Sequence, residues 1–156
     1  MQAKVSLVLR LVFVIMVATV LSSCATTIKS QKKSAKVAQL QLELGVAYME
    51  QGYMDMALVN LEKAQSIKPD DPEIQYALAL LYLKKGSEER AEQHFMRAMR
   101  EDKPYPEAQN GYGVLLCRQG RHREAAIYFG MAINNPDYKT PDVATRNSEI
   151  CGDEMK

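Results

Sequence analysis

The apolar positions of this chain fall into three regimes. Leu11 to Leu21 is an apolar run broken only by Thr19, and Ala25 to Val37 is small and polar with no apolar period. From Ala38 to Lys139 the apolar residues recur at helical spacing, and the whole arrangement returns every 34 residues. Leu44, Gly45 and Tyr48 occupy one helix face at i, i+1 and i+4, and come back as Leu78, Ala79, Tyr82 and as Tyr112, Gly113, Leu116. Four further columns keep the phase: Gly52, Gly86, Gly120; Ala57, Ala91, Ala125; Leu61, Phe95, Phe129; and Ala64, Ala98, Ala132. Each copy is predicted to be two antiparallel helices.

The residue types follow from packing. Gly45, Ala79 and Gly113 let two backbones approach, Ala57, Ala91 and Ala125 supply the matching flat surface, and Ala64, Ala98 and Ala132 do the same between copies. Gly52, Gly86 and Gly120 stop the first helix of each pair in a left-handed turn. Pro72 and Pro106 stand at a first helical position, where a missing N–H costs nothing, and Asp71 is a suitable N-cap. A 34-residue period with this order of large, small and aromatic positions resembles the tetratricopeptide repeat. The resemblance implies an all-α solenoid of three hairpins, 38–71, 72–105 and 106–139, followed by a partial fourth repeat or capping helix at 140–156. The inner wall of such a solenoid is built from the first helices. By analogy with the family the inward positions are Leu42, Val46 and Met49, then Tyr76, Leu80 and Leu83, then Asn110, Val114 and Arg118. This wall is mostly apolar. It lacks, in its first two repeats, the Lys, Arg and Asn needed to clamp a terminal carboxylate, so the expected occupant is an apolar or amphipathic segment of another protein.

The N-terminus changes the picture. Lys4 and Arg10 precede the apolar run, which is too short for a membrane-spanning helix of about 20 residues. It ends in Leu21-Ser22-Ser23-Cys24, which resembles the lipobox of bacterial lipoproteins. The expectation is a signal peptide over 1–23, a mature chain beginning at lipidated Cys24, and a flexible tether over 24–37 carrying Lys29, Lys32, Lys33 and Lys36. Several acyl chains, palmitate among them, would hold the protein to a bilayer where a single chain does not. Ala25 in place of an aspartate implies, by the same resemblance, sorting to the outer membrane with the body in the periplasm. Losing Lys4 and Arg10 turns the formal charge of +1 into −1, so there is no electrostatic footprint for nucleic acid.

Candidate chemistry does not converge. His94, among Glu92, Gln93, Arg97 and Arg100, reads as part of a solvated face, and His122 lies in the turn Gly120-Arg121-His122-Arg123. Neither has a second ligand at i+4, so no metal site is expected. No nucleophile has a base at a recognisable spacing, and there is no phosphate loop. The chain is therefore expected to be no enzyme, with no cofactor and no small-molecule substrate. Cys117 and Cys151 lie on first helices of neighbouring repeats, as a disulfide or as two buried small hydrophobes. Thr140-Pro141 opens a further helix with Val143, Asn147, Ile150 and Cys151 on one face. Ser148 or Glu149 falls at its crossing position, where Glu149 would press a charge against the neighbour.

The lipobox, the tether and the segments LQLELGVAYMEQG, YALALLYLKKG and NGYGVLLCRQGRHREAAIYFGMAINNPDYKTP together resemble the type IV pilus biogenesis and stability lipoproteins, the tetratricopeptide-repeat pilotins. The more specific marks are Cys117 after Tyr112-Gly113, the NPDYKTP loop, and Cys151 ten residues after Pro141. The resemblance implies an outer-membrane lipoprotein that helps the pilus secretin reach the membrane and form its ring. Its implied partners are a secretin subunit and the lipid bilayer. Members of that family continue for further repeats, which raises the alternative of a truncated or degenerate copy. Another alternative is a periplasmic scaffold for other envelope or cell-wall complexes.

Overall fold

A computed structural model describes residues 31–100 and 105–153. The apolar run, the lipobox with Cys24, the first part of the expected tether, the centre of the loop between the second and third hairpins, and the last three residues lie outside the described residues. The described residues hold seven helices and no strand: α1 (31–50), α2 (Met54–Ile67), α3 (Pro72–Lys84), α4 (Glu88–Ala98), α5 (Pro106–Arg118), α6 (His122–Ile133) and α7 (Pro141–Asp153). None of them is long and apolar enough to cross a membrane.

The chain separates into two compact units, residues 1–37 and 38–156. Of the first, residues 31–37 are described and they are helical, which corrects the expected tether there. Gln31, Lys32, Lys33, Ala35 and Lys36 are straight-chain or small residues that lose little freedom in a helix.

In the second unit the pairs stack in chain order, α2 on α3, α4 on α5, α6 on α7, with α5 also against α7. One turn is used three times. Gly52, Gly86 and Gly120 have φ of 85°, 75° and 74°. After each, the next N–H reaches back into the last turn: Tyr53 to the Tyr48 carbonyl (2.9 Å), Ser87 to Tyr82 (2.8 Å) and Arg121 to Leu116 (2.9 Å). This Schellman closure satisfies carbonyls that the helix end leaves open. Asp71 caps α3 by accepting from the Glu73 and Ile74 N–H groups, and prolines open α3 and α5.

The alanine columns mark the crossings: Ala57, Ala64, Ala91, Ala98, Ala125 and Ala132 are all sealed. Glycine is required where the crossing partner's side chain comes closest to the helix backbone. A Cβ on Gly45 would come within 2.6 Å of Leu61 Cγ, and one on Gly113 within 2.7 Å of Phe129 Cε1. From the second repeat into the third the core continues as a chain of rings, Tyr76 to Phe95 (6.2 Å), Phe95 to Tyr112 (6.0 Å) and Tyr112 to Tyr128 (4.7 Å). Such pairs contribute about 0.5–1.5 kcal/mol each beyond burial. Exposed ion pairs also bridge repeats, Lys85 with Asp55 (2.8 Å) and Arg100 with Asp70 (3.2 Å), each worth at most about 1 kcal/mol.

The last helix departs from expectation on its faces. Ala144 and Cys151 are buried, whereas Val143, Ile150 and Glu149 are exposed. Cys151 stands 34 residues after Cys117, which keeps the repeat register and puts Asn147 in the column of Gly45, Ala79 and Gly113. Glu149 therefore turns to solvent and presses no charge on the crossing. Asn147 instead donates through Nδ2 to Asn110 Oδ1 at 3.0 Å.

Candidate binding surface

The inward positions expected from the repeat pattern do not share one fate. Leu42 and Met49 are 2% and 5% exposed and belong to the core, so the structure removes both from the binding wall. Val46, Tyr76, Leu80, Leu83 and Val114 are half-buried, packed against the core below and open above. Tyr76, Leu80 and Leu83 lie at i, i+4 and i+7 of α3, one stripe. Asn110 is held by Asn147.

Arg118 is one residue out of register. The position 34 residues after Leu83 is Cys117, while Arg118 is exposed and 3.9 Å from Glu88 Oε1. The wall in the third repeat therefore runs Asn110, Val114, Cys117. It borders a pocket of about 120 Å³ lined by Val114, Cys117, Arg118, Phe129, Asn147 and Ile150.

One flank of the wall is acidic. Burial raises the Glu73 carboxyl above the usual range, with Asp71, Glu107 and Glu43 adding to the shift. Burial, and then Glu107, likewise raise the phenols of Tyr76 and Tyr105, whose rings meet at 5.5 Å. Glu73 and Glu107 thus act on the two tyrosines, and Glu43 acts on Glu73.

Two features escaped the sequence reading. Gln41, Gln75 and Gln109 form a further column at the 34-residue period, a polar column inside an apolar pattern. Gln75 is wholly buried, its amide donating to the Pro69 carbonyl and its oxygen facing His94 Nδ1 at 2.7 Å. The Gln41 and Gln109 oxygens find no hydrogen-bond partner among the described residues. His94 is accordingly not part of a solvated face. It is half-buried and stacks on Tyr82 at 5.3 Å. Burial lowers its pKa, helped by Arg97 and Arg90, and because the Gln75 amide oxygen can only accept, Nδ1 is the donor of this hydrogen bond. The other is a network that joins the second hairpin to the third: Tyr112 donates to Glu92, which also accepts from Arg121 at 3.2 Å. Burial and that carboxylate push the Tyr112 phenol up to about 12.

Cys117 on α5 and Cys151 on α7 are joined, their Cα atoms 5.8 Å apart. His122, the first residue of α6, points Nδ1 at both sulfurs, 3.4 Å from Cys151 Sγ and 3.8 Å from Cys117 Sγ. The turn that appeared in the sequence to hold an isolated histidine therefore brings it to a cysteine pair.

Hairpins closed by left-handed glycines, crossed at alanine and opened by proline define a tetratricopeptide-repeat protein. Two profiles of that family match the chain, one described as TPR repeat over residues 45–86 and one as tetratricopeptide repeat over residues 76–139. Among solved structures the chain is similar to the PilF of Pseudomonas aeruginosa, with 24% identity and a TM-score of 0.74 over 79% of this chain and 55% of that one. It is similar to PilW, a widely conserved type IV pilus biogenesis factor, with 28% identity and a TM-score of 0.72 over 76% and 55%. The Arabidopsis OM64 TPR domain is 23% identical, with a TM-score of 0.63 over 75% and 98%. The chain thus spans little more than half the length of the two pilus proteins. No curated protein sequence matches it.

Proposed function

We propose that this protein is a non-catalytic assembly factor of the type IV pilus machinery, a pilotin anchored to the outer membrane through acylated Cys24, with its repeats in the periplasm. Its half-buried stripe of Val46, Tyr76, Leu80, Leu83 and Val114 grips a segment of a secretin subunit. The observation that carries the reading is this stripe: large side chains that are packed from below and open on one side can bury a partner's apolar face with little loss of their own freedom. The acidic flank of Glu43, Glu73 and Glu107 favours a segment with basic residues along one edge. The similarity to PilW supports the choice of machinery, and the lipobox supports the anchor.

The test is secretin ring assembly in cells carrying Leu80→Asp or Val114→Asp, with helical content followed by circular dichroism on the purified chains. Loss of rings with the helices intact is expected; normal rings in both variants would overturn the reading. Cys24→Ser separates the carrier from a scaffold that joins other envelope complexes. A carrier without its anchor leaves secretin in the wrong membrane, whereas a scaffold with several contacts keeps its complexes together.

A further inference from the structure

We infer that Cys117, His122 and Cys151 form a zinc site when the cysteine pair is reduced. The three side chains come from three successive first-or-second helices, α5, α6 and α7, and their ligand atoms all lie within 4.8 Å of one another. Two thiolates and an imidazole are a donor set that suits Zn²⁺, which binds sulfur at about 2.3 Å and imidazole nitrogen at about 2.0–2.1 Å. In a tetrahedral site those lengths put sulfur and nitrogen about 3.5 Å apart. His122 Nδ1 already stands 3.4 and 3.8 Å from the two sulfurs. Only the sulfurs have to move, from bonding contact to the separation of about 3.8 Å that the same geometry sets. Rotation of two side chains on helices already in contact accomplishes this.

The burial fits a three-residue site with one open position. Cys151 is buried, while Cys117 and His122 are half-buried, so the fourth position faces outward, where water or a partner's side chain completes the shell. Arg121 does not compete for the sulfurs with its full charge, since it is held by Glu124 at 2.7 and 2.9 Å and by Glu92 at 3.2 Å.

The chemistry balances with a dithiol as reductant. The protein disulfide takes two electrons and two protons from the dithiol, which becomes a disulfide, and the two protein thiols then lose two protons as Zn²⁺ enters. Zinc undergoes no redox change. Oxidation and metal binding are therefore alternatives at one place, and each ties α7 to the third hairpin; the reduced, metal-free chain is the state in which α7 is least held.

The experiment uses the full chain in detergent micelles, in a Cys24→Ser background so that two of the three cysteines remain. A phosphine reduces the disulfide, taking the oxygen of water as its two hydrogens pass to the sulfurs. Co²⁺ is added as a coloured stand-in for zinc, with Zn²⁺ as competitor. One Co²⁺ per chain is expected, with thiolate-to-cobalt charge-transfer absorption that Zn²⁺ abolishes, and none in the oxidised chain. His122→Ala should weaken binding at least about tenfold while sulfur absorption persists. X-ray absorption of the zinc-loaded wild type should show two sulfur neighbours and an imidazole, a reading that holds whether or not the variant folds. Absence of thiolate absorption in the reduced chain, a shell of sulfur alone, or undiminished affinity in folded His122→Ala would each overturn the site.

Discussion

The first and second repeats carry the same pattern and bury different residues. Ile74 and Leu78 of α3 are each 1% exposed, sealed where α3 packs on the preceding hairpin, whereas their counterparts one period earlier, Leu40 and Leu44 of α1, are 53% and 38% exposed. Conversely Leu42 is sealed while its counterpart Tyr76 stays half open. The helices, turns and crossings are set within each copy, but burial is set by what stands next to it. A repeat's sequence specifies two faces, and its place in the stack decides which of them is covered.

The largest expected effect tests that statement at one column. Leu78→Ala should lower stability in urea unfolding by about 2–5 kcal/mol, as for other large-to-small changes in packed interiors. Leu44→Ala, identical in kind and 34 residues earlier, should cost less than about 1 kcal/mol. Equal losses would mean that position in the stack does not matter. At the other end, α7 is held covalently. Replacing Cys117 and Cys151 together by serine should remove about 2–4 kcal/mol, and hydrogen exchange should quicken first in α7.

Glycine and alanine in one column sharpen the contrast further. Gly113→Ala drives a Cβ against the Phe129 ring and should cost about 1–3 kcal/mol from overpacking. Urea unfolding measures the loss, and a change below about 0.5 kcal/mol would show that the ring moves aside without strain.

Most of the fold was legible because its causes are local and repeated: the glycine turns, the proline starts, the Asp71 cap and the alanine crossings each need only a few neighbouring residues. The binding wall was less so. Leu42 and Met49 satisfy the inward pattern as well as Leu80 does, and burial alone distinguishes them. Arg118 is the inward residue by analogy with the family, whereas the 34-residue period points to Cys117. Residues 31–37 have no apolar period, yet a helix can form without one when its residues are good formers. The glutamine column stands at the 34-residue period, but polar side chains inside an apolar pattern do not by themselves mark a buried position. His122 and the cysteine pair could not be joined from spacing, since i, i+5 and i+34 have no common local geometry.

The smallest effect isolates the second repeat, because the position of His94 is held by Asn60 in the first and Tyr128 in the third. His94 is stacked on Tyr82, Arg90 lies over that same ring at 5.4 Å, and Gln75 offers its one remaining acceptor to Nδ1. Nothing there welcomes a second positive charge, and burial with Arg97 and Arg90 lowers the pKa. A histidine depressed in the folded state binds its proton more readily when unfolded. Its contribution is therefore complete above the unfolded value of about 6.5 and is lost as pH falls from there toward the folded pKa. The melting temperature of the wild type should fall more steeply across that window than that of His94→Gln, which keeps an amide beside Gln75 and cannot titrate. Parallel curves would show that the imidazole is as well solvated in the fold as in the open chain, and that the three repeats differ in neighbours without differing in this charge.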